Sequence, residues 1–179
     1  MDDRKSWTVK DEVILDDLTA LMRLSDDERQ ALAAGKEIAK AKASEMVDMF
    51  YERLLSHENT AEYLEGKVDH LRTTLENWFV QLFSGQYDAD YVNSRLQIGK
   101  THVRIGLPVR YPLAMLDMLV EFGERVAAEC ANSELVARAF RKVAALDIAI
   151  FNQAYENTQL DHLAEMVGNE RLARRLLTQ

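Results

Sequence analysis

The sequence predicts an all-helical protein, on three observations. Apolar residues recur at spacings of three and four rather than two, no Pro occurs before Pro108, and no Asn-Gly or Asp-Gly hairpin dipeptide occurs anywhere in the 179 residues. The composition agrees: 47% hydrophobic and 29% charged residues, with 7 Gly and 2 Pro, suit a folded helical chain and not a disordered one. That length is enough for one core and a buried apolar ligand without disulfides.

The elements follow in order. Val13, Ile14, Leu18, Leu21 and Met22 form one stripe, and Ser25-Asp26-Asp27-Glu28 reads as a capping box that opens the next helix. Helical periodicity then runs from Asp26 to about Ser56, with Ile38, Met46, Met49, Phe50 and Leu54 inward; Gly35 makes this two short helices or one bent one. A short piece around Ala61 to Leu64 precedes Gly66. The next helix runs from about Val68 to Phe83, with Val68, Leu71, Leu75, Trp78, Phe79 and Leu82 as its apolar set, and Ser84-Gly85 closes it. Asp88 reads as the N-cap of a helix reaching about Arg104, which Gly106 and Pro108 terminate. Two long helices are expected at Val109 to Ala131, with Pro112 tolerated in the first turn, and at Glu134 to Thr158, separated by the capping pair Asn132-Ser133. From Gln159 to Gln179 an incomplete stripe of Leu163, Met166, Val167, Leu172, Leu176 and Leu177 reads as a helix that needs a partner. The sum is one domain of about eight helices, without repeats.

Charge and composition exclude several functions. A net charge of −8 with pI about 5.1 repels phosphate, so nucleic acid is not an expected partner. Cys130 is the single cysteine and has no adjacent base or second thiol, which makes it a packing residue in a reducing compartment. Met1-Asp2-Asp3-Arg4-Lys5 leads into no apolar signal region, and no stretch approaches the ~20 apolar residues of a membrane span. The cytoplasm is the expected location.

Of the four histidines, His57, His70 and His162 have polar neighbours. His102 differs: Ile98, Val103, Ile105 and Leu107 surround it, and Gly99, one turn earlier, is expected to leave the helix bare for a flat ligand. Alone, such a residue reads as a partly buried histidine bonded to a carbonyl. No His, Cys or carboxylate stands three or four residues after it, so a zinc or di-iron helix site is not offered, whereas a haem needs one strong protein ligand.

The stretch Ile98-Gly99-Lys100-Thr101-His102-Val103-Arg104-Ile105-Gly106-Leu107-Pro108 resembles the proximal-histidine signature of globin-coupled sensors and protoglobins. The order of other features is similar too: Phe50-Tyr51, then Trp78-Phe79 and Leu82-Phe83-Ser84-Gly85, then Tyr91 and Arg95, over roughly residues 7 to 158. The resemblance implies a globin fold, the three-over-three helical sandwich, with an extra N-terminal helix and a shortened or missing fourth helix. It implies haem b as cofactor and His102 as the iron ligand, its other ring nitrogen donating to a carbonyl. Tyr51 matches the distal tyrosine, a donor to O2 far more than to CO. Leu71 matches a distal leucine that restricts access, Thr74 adds a second polar contact, and Trp78 with Phe50 completes the pocket. Phe79 and Phe83 are expected as core, and Met46, Met49, Met115 and Met118 as gap-fillers.

A gas ligand alone does not separate sensing from storage or detoxification. The apolar residues Leu113, Leu116, Leu119, Val120, Val136, Phe140, Val143, Ile148, Phe151 and Tyr155 exceed one buried stripe, which points to a partner face. The resemblance implies a homodimer through the last two long helices. The expected function is a haem-based sensor of O2 or another diatomic gas (CO, NO), without a catalyst of its own. Residues 1–158 form the sensor domain and 159–179 begin a linker toward an output region, a diguanylate cyclase, histidine kinase or chemotaxis transducer, for which these residues carry no motif. The alternatives are a haem enzyme of the nitric oxide dioxygenase or peroxidase type, and a haem-free globin-fold signalling domain.

Overall fold

The computed structural model describes residues 13–177. Expectations that reach residues 1–12 or 178–179, including the first part of the family resemblance and the end of the tail, lie outside them. Ten helices occur among the described residues: α1 (Ile14–Met22), α2 (Asp26–Ala34), α3 (Lys36–Leu55), α4 (Glu58–Ala61), α5 (Val68–Gln81), α6 (Ala89–Arg104), α7 (Arg110–Ala114), α8 (Leu116–Ala128), α9 (Ser133–Val167) and α10 (Glu170–Leu177).

The punctuation read from the sequence is physically present. Ser25 Oγ accepts from the Glu28 N–H at 3.2 Å while Glu28 Oε2 accepts from the Ser25 N–H at 3.0 Å, which completes the capping box of α2. Asp88 caps α6 through the Tyr91 N–H, and Asn132 caps α9 through the Leu135 N–H. Gly35 divides the first long periodic stretch into two helices, which settles the open alternative.

Three boundaries differ from expectation. The helix expected from Val109 is broken at Met115, whose N–H is shared between the carbonyls of Tyr111 and Pro112, a local tightening of the turn. The helix expected to stop at Thr158 runs on to Val167, and α10 packs back on it with Ala173 fully buried. Of the tail's incomplete stripe, Leu163 and Val167 are half-buried, whereas Met166, Leu172, Leu176 and Leu177 remain exposed. The fourth helix is a single turn, at Glu58–Ala61 rather than Ala61 to Leu64.

α9 is the axis of the molecule and packs against α1, α2, α6, α8 and α10, while α3 packs on α5 and α8. This is an all-α, globin-like arrangement with an extra helix, α1, before α2. Phe79, Phe83, Phe122, Phe140, Met118 and Leu146 are fully buried in its core. Phe83 and Phe140 stack with centroids 4.9 Å apart, joining α9 to the loop after α5.

The apolar residues expected to face a partner are largely used inside the chain. Leu119, Val136, Phe140, Val143 and Phe151 are buried, Leu116, Val120, Ile148 and Tyr155 half-buried, and Leu113 alone of the ten is exposed. Their surplus is explained by two sides of α9 being covered and by a cavity beside it. Cys130 is half-buried, its thiol directed to the Val126 carbonyl and raised in pKa by burial and by Glu129, which suits a packing role.

Candidate functional site

A cavity of about 400 Å³ opens between α3, α5, α6, α8 and α9, within the range of small-ligand pockets. Its wall is mostly apolar: Met46, Phe50 and Leu54 from α3, Leu71, Leu75 and Trp78 from α5, Ile98 and His102 from α6, Leu116 and Leu119 from α8, and Ile148 and Phe151 from α9. All six site residues read from the sequence, Phe50, Tyr51, Leu71, Thr74, Trp78 and His102, line this one cavity. Tyr51 is buried, Phe50, Leu71, Trp78 and His102 are half-buried, and Thr74 is exposed at the rim.

His102 is the only histidine that lines it; His57, His70 and His162 are exposed. Its Nδ1 lies 2.8 Å from the Ile98 carbonyl, which can only accept, so Nδ1 carries the proton and Nε2 keeps its lone pair. Burial lowers the imidazole pKa, against the opposing pull of the Ile98 carbonyl, and so favours the neutral ring a metal requires. The ring meets the edge of Phe151 at 5.3 Å between centroids, which limits its rotation.

The helix end behind His102 is equally fixed. Gly106 has φ +74°, and its N–H bonds to the Val103 carbonyl while the Leu107 N–H bonds to the His102 carbonyl, a Schellman closure that needs the left-handed residue glycine supplies. Two phenols hold the corner from outside: Tyr63 donates to the Gly106 carbonyl at 3.2 Å and Tyr155 to the Leu107 carbonyl at 3.0 Å.

Gly99 has a different reason from the one expected. It does not leave a bare face for a ligand: a Cβ there would lie 2.6 Å from Ala154 Cβ and 2.7 Å from the Phe151 carbonyl oxygen. Gly99 is what lets α6 lie directly on α9.

On α3, Tyr51 is 6% exposed, and its hydroxyl has no protein hydrogen-bond partner among the described residues. Burial raises its pKa against the nearby Arg72 charge, so it remains a donor at neutral pH. Beside it Thr60 donates to the Leu54 and His57 carbonyls, which ties α4 to the end of α3 at the cavity rim.

Sequence reasoning missed a polar cluster in the cavity wall. Asp147 of α9, 5% exposed, accepts from Arg95 Nε at 2.6 Å, from the Tyr91 hydroxyl at 2.7 Å and from Trp78 Nε1 at 3.2 Å. The available signal was a lone carboxylate in the otherwise apolar run from Val143 to Phe151.

Among the described residues no cluster of three or more His, Cys, Asp or Glu can hold a metal, so a metal bound here must bring most of its own ligands. An apolar cavity with one neutral imidazole, its tautomer fixed and its Nε2 free, fits a metalloporphyrin, which supplies four ligands and needs one from the protein. No helix among the described residues is long and apolar enough to cross a membrane.

The fold and this single-histidine cavity define a globin-like class of protein. The chain belongs to the protoglobin family: residues 11–161 match the family model described as Protoglobin. It is 32% identical over 182 residues to the heme-based aerotactic transducer HemAT of Halobacterium salinarum, a match that covers 89% of this chain and 36% of that protein. The chain thus spans about a third of that relative's length. Its fold is similar to the globin domain of the Geobacter sulfurreducens globin-coupled sensor, with a TM-score of 0.74, 26% identity, and coverage of 78% of this chain and 96% of that one. The names of these relatives are those of a transducer and a sensor, not of enzymes.

Proposed function

We propose that the chain is a haem-based sensor domain for a diatomic gas. The observation that carries the reading is the fixed tautomer of His102, whose Nδ1–H is held by Ile98 so that Nε2 is the only imidazole lone pair available to an apolar cavity. A haem held there would supply an iron able to bind O2, CO or NO.

The chain's own residues have separable tasks in this reading. His102 holds the group through Nε2, and the Ile98 carbonyl keeps its ring oriented and basic. Tyr51, with an uncommitted hydroxyl, donates to a polar gas and so favours O2 over CO. Leu71, Trp78 and Phe50 exclude water and restrict the space beside the ligand, and Thr74 contributes a hydroxyl at the rim. The likeness to a transducer and to a sensor domain supports a signalling role. A homodimer through α8 and α9, a C-terminal output region and a cytoplasmic setting complete the proposal.

The test is the visible spectrum of the wild type and of His102→Ala in ferric, dithionite-reduced and O2- or CO-exposed forms. A Soret band that shifts with reduction and with gas, and is lost in the variant, is the expected result. A wild type that takes up no added hemin overturns the reading. Sedimentation of the wild type checks the dimer separately.

A further inference from the structure

We infer that Asp147 is a positioning residue through which the filling of the cavity is felt by α9. The inference rests on the haem reading of the cavity and deepens it by naming the link between that cavity and the helix at the centre of the fold.

A carboxylate buried between Leu146 and Ile148 persists only if its charge and lone pairs are met. Asp147 is met entirely from α5 and α6, the helices that carry Trp78 and His102 of the cavity wall. Trp78 of α5 donates its indole N–H to one carboxylate oxygen; Tyr91 and Arg95 of α6 share the other. Arg95 precedes His102 by two helical turns, so both project from the same side of α6. A push on Trp78 from inside the cavity, or a pull on α6 through His102, therefore loads one carboxylate on α9.

The cluster is also not fully satisfied. The Arg95 guanidinium is 1% exposed, lies 3.9 Å from the centroid of the Tyr91 ring and gives Nη1 to Gln81, yet its Nη2 is buried with no hydrogen-bond partner. An unpartnered buried donor is costly, so a change in the cavity that brings Nη2 an acceptor is favoured over one that does not. Three helices thus meet at one charge pair with an unmet donor, which is where the inference places the link between the cavity and α9.

The test uses hemin as the probe and compares wild type, Asp147→Asn and Tyr91→Phe. Uptake is read first by visible absorbance; amide hydrogen exchange over residues 143–158 is then measured in the free and loaded forms. The expected result is a change in exchange on loading in the wild type that is lost in Asp147→Asn and reduced in Tyr91→Phe. A purely structural role would raise exchange in both forms and leave their difference in place, and that outcome overturns the inference. Should Asp147→Asn not fold, Tyr91→Phe carries the same decision. Hemin uptake with no α9 response in the wild type overturns the inference alone, whereas no uptake at all overturns the haem reading with it.

Discussion

The phenol of Tyr155 on α9 donates to the main-chain carbonyl of Leu107, 3.0 Å away, and so fastens the corner that follows His102 to a different helix. Tyr155→Phe removes this hydrogen bond and little else. The expected cost is about 0.5–1.5 kcal/mol, read as a lower urea midpoint with an unchanged slope. An unchanged midpoint would show that the phenol gains nothing over water.

The same phenol gives a pH dependence. Burial raises the Tyr155 pKa from the ordinary 10.0 to about 12. A pKa raised on folding contributes stability that is complete below the unfolded value and is lost as pH rises through the folded one. Stability is therefore expected to fall between pH 10.0 and about 12, less steeply in Tyr155→Phe than in the wild type. Equal slopes in the two proteins would refute the assignment.

Gly99→Ala is expected to force α6 away from α9, because the new methyl would lie 2.6 Å from Ala154 Cβ and 2.7 Å from a main-chain oxygen that cannot rotate aside. Overpacking of this kind costs about 1–3 kcal/mol. The paired change Gly99→Ala with Ala154→Gly should recover only part of that, since the Phe151 carbonyl stays in place. Thermal unfolding of the single and double variants checks both statements.

Asp147→Ala is expected to destabilise the fold by about 3–5 kcal/mol, because it strands the Arg95 charge inside the protein. Replacing Arg95 by Met as well should recover stability, since the stranded charge is then gone. A double-mutant cycle measures the coupling, and additive losses would contradict a shared site.

Ser25→Ala removes one half of the capping box and is expected to cost about 1 kcal/mol. Glu28 is held below the ordinary carboxylate range: burial acts upward, but the Lys142 ammonium, the Ser25 N–H and Arg138 together outweigh it. The stability Glu28 contributes is thus present above its unfolded pKa and lost as pH falls through the folded one. Glu28→Gln should weaken the acid-side decline, which unfolding curves on either side of pH 4.5 would reveal.

Much of this architecture was legible in the sequence because its signals are local. Ser25 and Glu28, Asp88, Asn132 and the Gly106 corner act on residues within five positions of themselves, so spacing alone identifies them. The family pattern named Phe50, Tyr51, Leu71, Thr74, Trp78 and His102, and all six line one cavity. What was not legible depends on distant partners. Gly99 reads as open space until Ala154 is placed against it, and Asp147 reads as an ordinary acid until Arg95, 52 positions away, is seen to face it. The run-on of α9 past Thr158 was hidden because residues 159–167 carry only a weak stripe, in which Met166 stays exposed.

The unbroken length of α9 has a mechanical consequence. At 1.5 Å of rise per residue, the stretch from Phe151, beside His102, to Val167 extends about 24 Å beyond the cavity. A rod pivoting near Phe151 by one degree would sweep its far end through about 0.4 Å, given that rise. α9 is therefore one continuous element that joins the cavity wall at Phe151 to the segment followed by α10.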